Sequence, residues 1–568
     1  MSVLTTLSQQ YPSVPTLTLA VSTVSSLHSL LASTPRADSN SIGYILNTVP
    51  KTTPALPLAS ACRQYGYLYR QTVEGQDIDK ASIENDISNL HRINTCSLDA
   101  QKKSILAKRY LDTAMHMEDT ALAFAECRCL KRSNELIPQG FETFPVAFCP
   151  AFIKKSVYDT AREETKIQNN LWMKLVYNPD FLLEQCKELE KDDDFVMRFT
   201  NIIRKVKDSK IKQGLKLAIS RNDVMLQGDQ FYQVEFNLIA SSLGPISQRH
   251  SQALGRLNSI FGDSKEQEKL SEAQLSNNEE FLFKAMKDTY EAYGNPKAVI
   301  VMVARKEKNV FDQYAPQTLL LQAGINYRRY TFEELAELME IDADTGVARV
   351  MGEEVCLFYF RDGYMPDQYT DKTWEVREKI ELSKAVKCPD AALQLVNMKY
   401  FQYVLNNKAH WLKFGMSEEQ FAICRKSFCD IFSLSDFGDD KAKMLSHIEN
   451  NGGLDEWVLK PQREGGANNF FGQHIKEQID KCSIEELKAF ILMRKIHASV
   501  QMGIHCDWKS VRVREVIHEF GFFQYNLWRD NSPVSTAQGG TLVRTKINGV
   551  DEGGVGMGFA VINSVQLE

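Results

Sequence analysis

The run Ala298–Ala304 (AVIVMVA) contains no polar residue, and this restricts the fold more than any other stretch of the chain. A strand that is apolar on both faces must be covered on both, as in a parallel sheet flanked by helices. A charged loop, a helical stretch around Gln317–Gly324 and a second strand near Tyr327–Tyr330 follow, and together they read as a βαβ-like unit. Ligands in such units sit beyond the carboxyl ends of the strands, where Glu307, Asn309 and Gln313 stand. A further apolar strand, Val355–Phe360, runs straight into Arg361-Asp362-Gly363-Tyr364. An arginine just past a buried strand suits a carboxylate clamp; the alternative is an Arg–Asp pair that pins the turn. The expected fold class is α/β.

Elsewhere polar residues interrupt apolar strands in patterns that need partners. Tyr232–Ile239 (YQVEFNLI) alternates, and Glu235 and Asn237, two residues apart, share a face. Such groups require a metal, a ligand or a salt bridge, or else they mark the polar side of an edge strand. Ser241, Ser242 and Gly244 follow in a turn. Trp457–Gly472 (WVLKPQREGGANNFFG) opens as a short buried strand, places Lys460 at its end and continues through Arg463, Glu464, Gly465, Gly466 and Ala467. Adjacent glycines let backbone N–H groups close on phosphate oxygens. A lysine beside them neutralises charge, and a carboxylate in the loop suits the magnesium that accompanies ATP. No Gly-Lys-Ser/Thr follows, so this is not a Walker A loop; an ordinary hairpin with charged flanks is the alternative. Ala489–Ile496 reads as a buried strand or short helix, and Glu519 lies amid apolar residues in Val516–Tyr525. Arg544 and Lys546 precede Gly553, Gly554, Gly556 and Gly558, a density of glycine that suits a lid.

With 568 residues the chain is expected to hold roughly two to four domains. A net charge of −6 gives no basic footprint for nucleic acid, and no apolar run approaches the ~18 residues of a membrane helix. The 12 cysteines show no zinc-type spacing and suit reduced, mostly buried thiols in a cytosol-like compartment. Residues 1–40 lack the positive start of a secretory signal and read as a partly ordered or helical extension, with organelle targeting as the lesser option. Ala100–Arg132 and Ser156–Arg221 are charge-rich with apolar residues at helical spacing, and Gly140–Pro150 links them. The charge run Glu188–Asp194 reads as solvated helix faces and turns.

Taken together, RNDVML (221–226), VEFNLIASSLG (234–244), EKNVFDQ (307–313), YFRDGYMPDQY (359–369), VLKPQREGGANNFFG (458–472), ILMRKI (491–496), LVRTK (542–546) and EGGVG (552–556) resemble the eukaryotic-type glutathione synthetases of the ATP-grasp class. The strings stand in that family's order across residues 100–568. The resemblance implies an ATP-grasp body, with 96–296 as its helical and β N-terminal part. It further implies an inserted parallel α/β substrate domain over 297–397 and a nucleotide-binding part over 398–568 with Gly-rich lid loops. Residues 1–95 form an extension outside it. The implied reaction joins γ-glutamylcysteine to glycine with ATP and Mg2+, giving glutathione, ADP and phosphate in a cytoplasmic homodimer. The dipeptide carboxylate is first phosphorylated, and the glycine amine then attacks the acyl phosphate; fixed cations and magnesium stabilise the oxygen charge that builds up.

By position, the resemblance implies Glu235, Asn237 and Glu464 as magnesium ligands. Lys399, Lys460 and Lys546 would neutralise ATP phosphates, with Gly465, Gly466 and Asn469 closing over them. Phe471, Met493, Lys495, Ile496, Glu519 and Glu552 complete the ATP set. Arg221, Ser241, Ser242, Glu307, Asn309, Gln313, Arg361 and Tyr364 would bind the dipeptide; Arg544, Val555 and Gly556 would receive glycine. Arg544, Lys460, Gly465 and Gly466 carry the catalytic roles. The chain departs from the family at Ala240 (serine), Asp367 (arginine, a charge reversal expected near the dipeptide), Ala467 (glycine), Arg494 (acid) and Glu552 (aspartate). These changes fall on dipeptide and loop positions, so a diverged ligase with another acceptor or peptide, or an ATP-binding effector-like protein, is the alternative.

Overall fold

The computed structural model describes residues 131–134, 140–261, 276–305, 309, 311–462, 468–506, 511–551, 553–555 and 558–568. The extension over 1–95 and the helical segment expected over 100–130 lie outside them. The largest sheet has seven strands, in the order Gln501–Cys506, Val146–Ala147, Ala560–Asn563, Ser532–Ile547, Val511–Arg529, Leu215–Gln227, Gln230–Asn237. Its neighbours are antiparallel apart from the parallel pair Ala560–Asn563 and Val146–Ala147. The two longest strands form a hairpin turned at Asp530 and Asn531, at φ 48° and 64°. That left-handed pair matches the twist of the strands it joins, and Asp and Asn tolerate it.

The helical reading of Ser156–Arg221 holds only in part. Helices span Lys155–Val176, Pro179–Cys186, Leu189–Asp192 and Asp194–Asp208, but Leu215–Gln227 is a strand. Its side chains are buried on both faces, Asn222 and Asp223 included, because the Lys155–Val176 helix covers one side and a cavity wall forms the other. A two-faced strand with polar residues lacks both the apolar run and the alternation that mark strands. The last residues of Ala100–Arg132 also fall in a short strand, Lys131–Asn134.

The βαβ expectation holds. Val299–Val303 is flanked in parallel by Tyr327–Tyr330 and Glu353–Phe360, with Val386–Cys388 parallel beyond. Helix Phe311–Gln322 supplies the crossover and stops before Gly324, at φ 76°. All five residues of the central strand are buried, and they feed two different clusters. Ile300 and Met302 join Leu320 and Leu357, whereas Val299, Val301 and Val303 join Phe332, Phe358 and Phe360. Each such side chain contributes about 2 kcal/mol of burial.

A third sheet, antiparallel throughout, has the order Ile431–Ser433, Phe490–Arg494, Trp457–Pro461, Phe470–Phe471. The segment Ala489–Ile496 is thus resolved as strand. Trp457 and Leu459 pack on Ile475, Ile479 and Leu492, which leaves Val458 and Lys460 on the opposite face. Among the described residues no helix is long and apolar enough to cross a membrane.

Candidate active site

One cavity of about 670 Å³ lies between the Gln230–Asn237 edge strand, the Trp457–Pro461 sheet, the Ser532–Ile547 strand and the loop that follows it. That volume suits a small-molecule site. Plain alternation would put Gln233, Glu235 and Asn237 on one face. The register against Leu215–Gln227 shifts between Asp223 and Val224, so Glu235 pairs with Asp223 but Gln233 pairs with Val224. This bulge turns Val234, Glu235 and Asn237 into the cavity and Gln233 toward the helix behind; bulges beside active sites commonly re-aim side chains in this way. The expected shared face of Glu235 and Asn237 holds, and the strand is also the sheet's edge.

At one end Glu235 sits among lysines. The Lys399 ammonium, at the start of helix Lys399–Val404, lies 3.7 Å from its Oε2. Lys460 is buried and donates to the Val234 carbonyl at 3.0 Å. Burial works against a charged Glu235, but Lys399, Lys460, Arg544 and Arg221 outweigh it and bring the carboxyl to about 2. Burial pushes the Lys460 ammonium down from its ordinary value, with Glu235 opposing. The wall beside them is apolar: Met225, Val458, Phe471, Met493 and Ile517. Lys495 lies 5.5 Å from the Phe471 ring centroid and pairs with Asp551 of the following loop at 2.9 Å.

At the other end are guanidiniums tied to buried carboxylates. Arg221 grips Asp223 through Nε at 2.6 Å and Nη2 at 2.7 Å, while Nη1 donates to the Ser242 carbonyl at 3.0 Å. Arg544 pairs with Asp223 at 2.9 Å and with Glu519. Burial opposes the Arg544 charge, but Glu519, Asp223 and Glu235 hold it firmly protonated. Arg361 pairs with Asp312 at 3.2 Å and donates to the Ser242 hydroxyl at 3.2 Å. Asp362 instead binds Arg305 at 2.9 Å, so Arg361 does not pin its own turn. Ala240 and Leu243, at φ 47° and 72°, bend the intervening loop, and Leu243 N donates to Asp312.

Oxygen donors for a hard cation are present. Asn237 Nδ2 donates to Asp223 at 2.9 Å, which leaves its Oδ1 for the cavity beside the ionised Glu235. Among the described residues no group of three His, Cys, Asp or Glu gathers for a metal; the two oxygen donors and a phosphate-bearing ligand together fit magnesium.

Of the residues singled out from the sequence, the cavity brings together Arg221, Glu235, Asn237, Ser241, Ser242, Asn309, Arg361, Tyr364, Lys399, Lys460, Asn469, Phe471, Met493, Lys495, Ile496, Glu519, Arg544, Lys546 and Val555. Gln313 stands outside its wall, buried between Arg305 and Arg329. Glu307, Glu464, Gly465, Gly466, Ala467, Glu552 and Gly556 lie outside the described residues. Asp367 is exposed on the short turn of helix Pro366–Gln368 and is not among the residues that line the cavity. Arg494 pairs with Glu456 at 3.0 Å and lies over the Trp457 ring, which accounts for a base at that position. Asp223 and Asp312 escaped sequence reading; a carboxylate two residues after Arg221 was the available signal for the first.

A model of the eukaryotic glutathione synthase ATP-binding domain matches residues 112–567. The chain belongs to the eukaryotic glutathione synthetase family. It is 31% identical to human glutathione synthetase over 483 residues, covering 82% of this chain and 97% of that protein. Similarity to the Dictyostelium discoideum glutathione synthetase is also 31%, covering 75% and 91% of the two chains. Among solved structures, a glutathione synthetase-like effector from Globodera pallida in its apo form aligns with TM-score 0.63 at 16% identity. That alignment covers 81% of this chain and 98% of the effector, and it speaks for the glutathione synthetase-like fold.

Proposed function

We propose that the protein is an ATP-dependent ligase that joins γ-glutamylcysteine to glycine. The observation that carries this reading is the division of one cavity into a lysine-lined end around Glu235 and an arginine-lined end around Ser242. Lys399, Lys460 and Lys546 hold the phosphates of ATP, and the apolar wall with Met493, Phe471 and Ile517 takes the base. Glu235 and Asn237, with Glu464, would hold magnesium, and the ion would supply positive charge beside the phosphates. Arg221, Arg361 and Ser242 fix the dipeptide, whose carboxylate attacks the γ-phosphorus as ADP leaves, and Arg544 receives the carboxylate of glycine. Phosphate leaves when the glycine nitrogen attacks the acyl carbon, with Gly553, Gly554 and Val555 keeping water out. Residues 297–397 act as the substrate domain.

A second reading keeps ATP binding but changes the acceptor or peptide; Ala240, a bare methyl in the dipeptide wall, favours it. ADP release with γ-glutamylcysteine, with and without glycine, separates the two. Release that needs both substrates supports the first. Release with another amine but not glycine supports the second. Nucleotide binding without release for any pair sinks both. We also propose a cytoplasmic homodimer; the buried free thiols support a reducing compartment, and light scattering of the purified protein tests the assembly.

A further inference from the structure

Arg221, Asn237 and Arg544 come from three different strands of the seven-stranded sheet, and all three line the cavity. One side chain touches all of them. Asp223 is fully buried and is not part of the cavity wall. It receives Arg221 twice, at 2.6 and 2.7 Å, Asn237 Nδ2 at 2.9 Å and Arg544 Nη2 at 2.9 Å. Both ion pairs of Arg544 use Nη2, and among the described residues Nε and Nη1 make no hydrogen bond. The Asp223 contact thus turns the rest of the guanidinium toward the cavity. The same carboxylate keeps the Asn237 amide nitrogen inward, so that its oxygen faces out.

The neighbouring strand is shaped around this contact. Gly521 stands opposite Asp223 in the register. A Cβ there would come within 2.7 Å of both Arg221 Cδ and Asp223 Oδ1. At Gly521 the sheet leaves out a side chain that would displace the pair.

Resting on the ligase reading, we infer that Asp223 is the positioning residue that sets the dipeptide-side arginine, the acceptor-side arginine and the Asn237 ligand in one register. It touches no substrate itself. Two guanidiniums at different subsites share one carboxylate, so they are held at a fixed separation, and displacing one displaces the other.

D223N preserves shape but removes the charge, and steady-state ADP release tests it. kcat/KM for γ-glutamylcysteine and for glycine should fall together, each by about 100-fold, as when one partner of a buried charge pair is removed. The KM for ATP should stay within about threefold of wild type, because the amide oxygen of D223N still accepts from Asn237 Nδ2 and the lysine end is untouched. G521A keeps Asp223 and crowds it, and should show the same split with smaller losses. It also carries the test should D223N fail to fold. D223E, which restores the charge, should recover part of the loss. A variant pair that leaves both substrates within about threefold overturns the inference while the ligase reading stands. Equal loss for ATP and both substrates reduces Asp223 to a general structural role and also overturns it. Wild-type protein that releases no ADP with this substrate pair overturns both.

Discussion

The two faces of the seven-stranded sheet near its Gln230–Asn237 edge solve the same problem in opposite ways. Both bury polar groups. On the cavity face lie charged groups, Arg221, Asp223, Glu235 and Arg544, each near an opposite charge. On the helix face lies a network of neutral groups. Gln233 donates to Gln168 and Asn222, each at 2.7 Å, and Ser220 and Asn526 donate to Asn169 at 2.8 and 2.9 Å. The one acid behind that face, Glu164, is pushed up to about 8 by burial, only partly offset by Ser427 and Lys426. Glu235, on the cavity face, is brought down to about 2. At Glu235 the cations beside it outweigh burial, and at Glu164 burial wins. The charged face is the one proposed to bind and react, and the neutral face holds the sheet to the Lys155–Val176 helix.

Breaking the charged face should have the largest consequence. E235Q leaves Lys399 and Lys460 without their carboxylate and should reduce turnover by about 1,000-fold without unfolding the protein. Glu464→Gln should do the same. ADP-release kinetics beside a melting curve check this, and near-wild-type turnover would remove these residues from the proposed metal site.

On the neutral face the expected effect is on stability and depends on pH. The folded-state pKa of Glu164, about 8, lies above its ordinary 4.5. In the window between these values the folded state holds a proton that the unfolded chain has released. Stability from this site is therefore complete below pH 4.5, falls as pH rises to about 8, and is flat beyond. E164Q should abolish that slope and stabilise the protein at pH 8 by several kcal/mol, roughly. Urea unfolding of both proteins at pH 5 and pH 8 measures it; equal differences at the two pH values would contradict a protonated Glu164.

Q233A, also on the neutral face, should lower stability by about 1–3 kcal/mol through the unpaired Gln168 and Asn222 groups. It should leave every KM unchanged, and altered substrate KM values would blur the division between the faces. The smallest effect is expected at the loop over the cavity. The Lys495–Asp551 pair is partly exposed, at 30% and 47% of the side chains, so D551A should change the free energy of closure by less than about 1 kcal/mol. A shift in the ATP KM well beyond about fivefold would make the pair a stronger latch than its exposure allows.

Much of this was readable from the chain. Val299–Val303, Glu353–Phe360 and Trp457–Pro461 announce themselves as apolar runs because a strand covered on both sides admits few polar residues. Arg544 and Lys546 stand two apart on the Ser532–Ile547 strand, and both line the cavity. Leu215–Gln227 escaped because burial between a helix and a charged cavity lets Asn222 and Asp223 sit inside a strand, which erases its period. The turn of Glu235 away from Gln233 needed a bulge, and local sequence does not specify which residue is skipped in a register.

Local sequence thus determined where the strands run and which residue types could meet phosphate, carboxylate and metal. Tertiary structure decided which charges share a partner. Asp223 binds Arg544 across 321 positions of chain, and an interaction of that reach depends on how strands pair in space, which neither residue's neighbours in sequence encode.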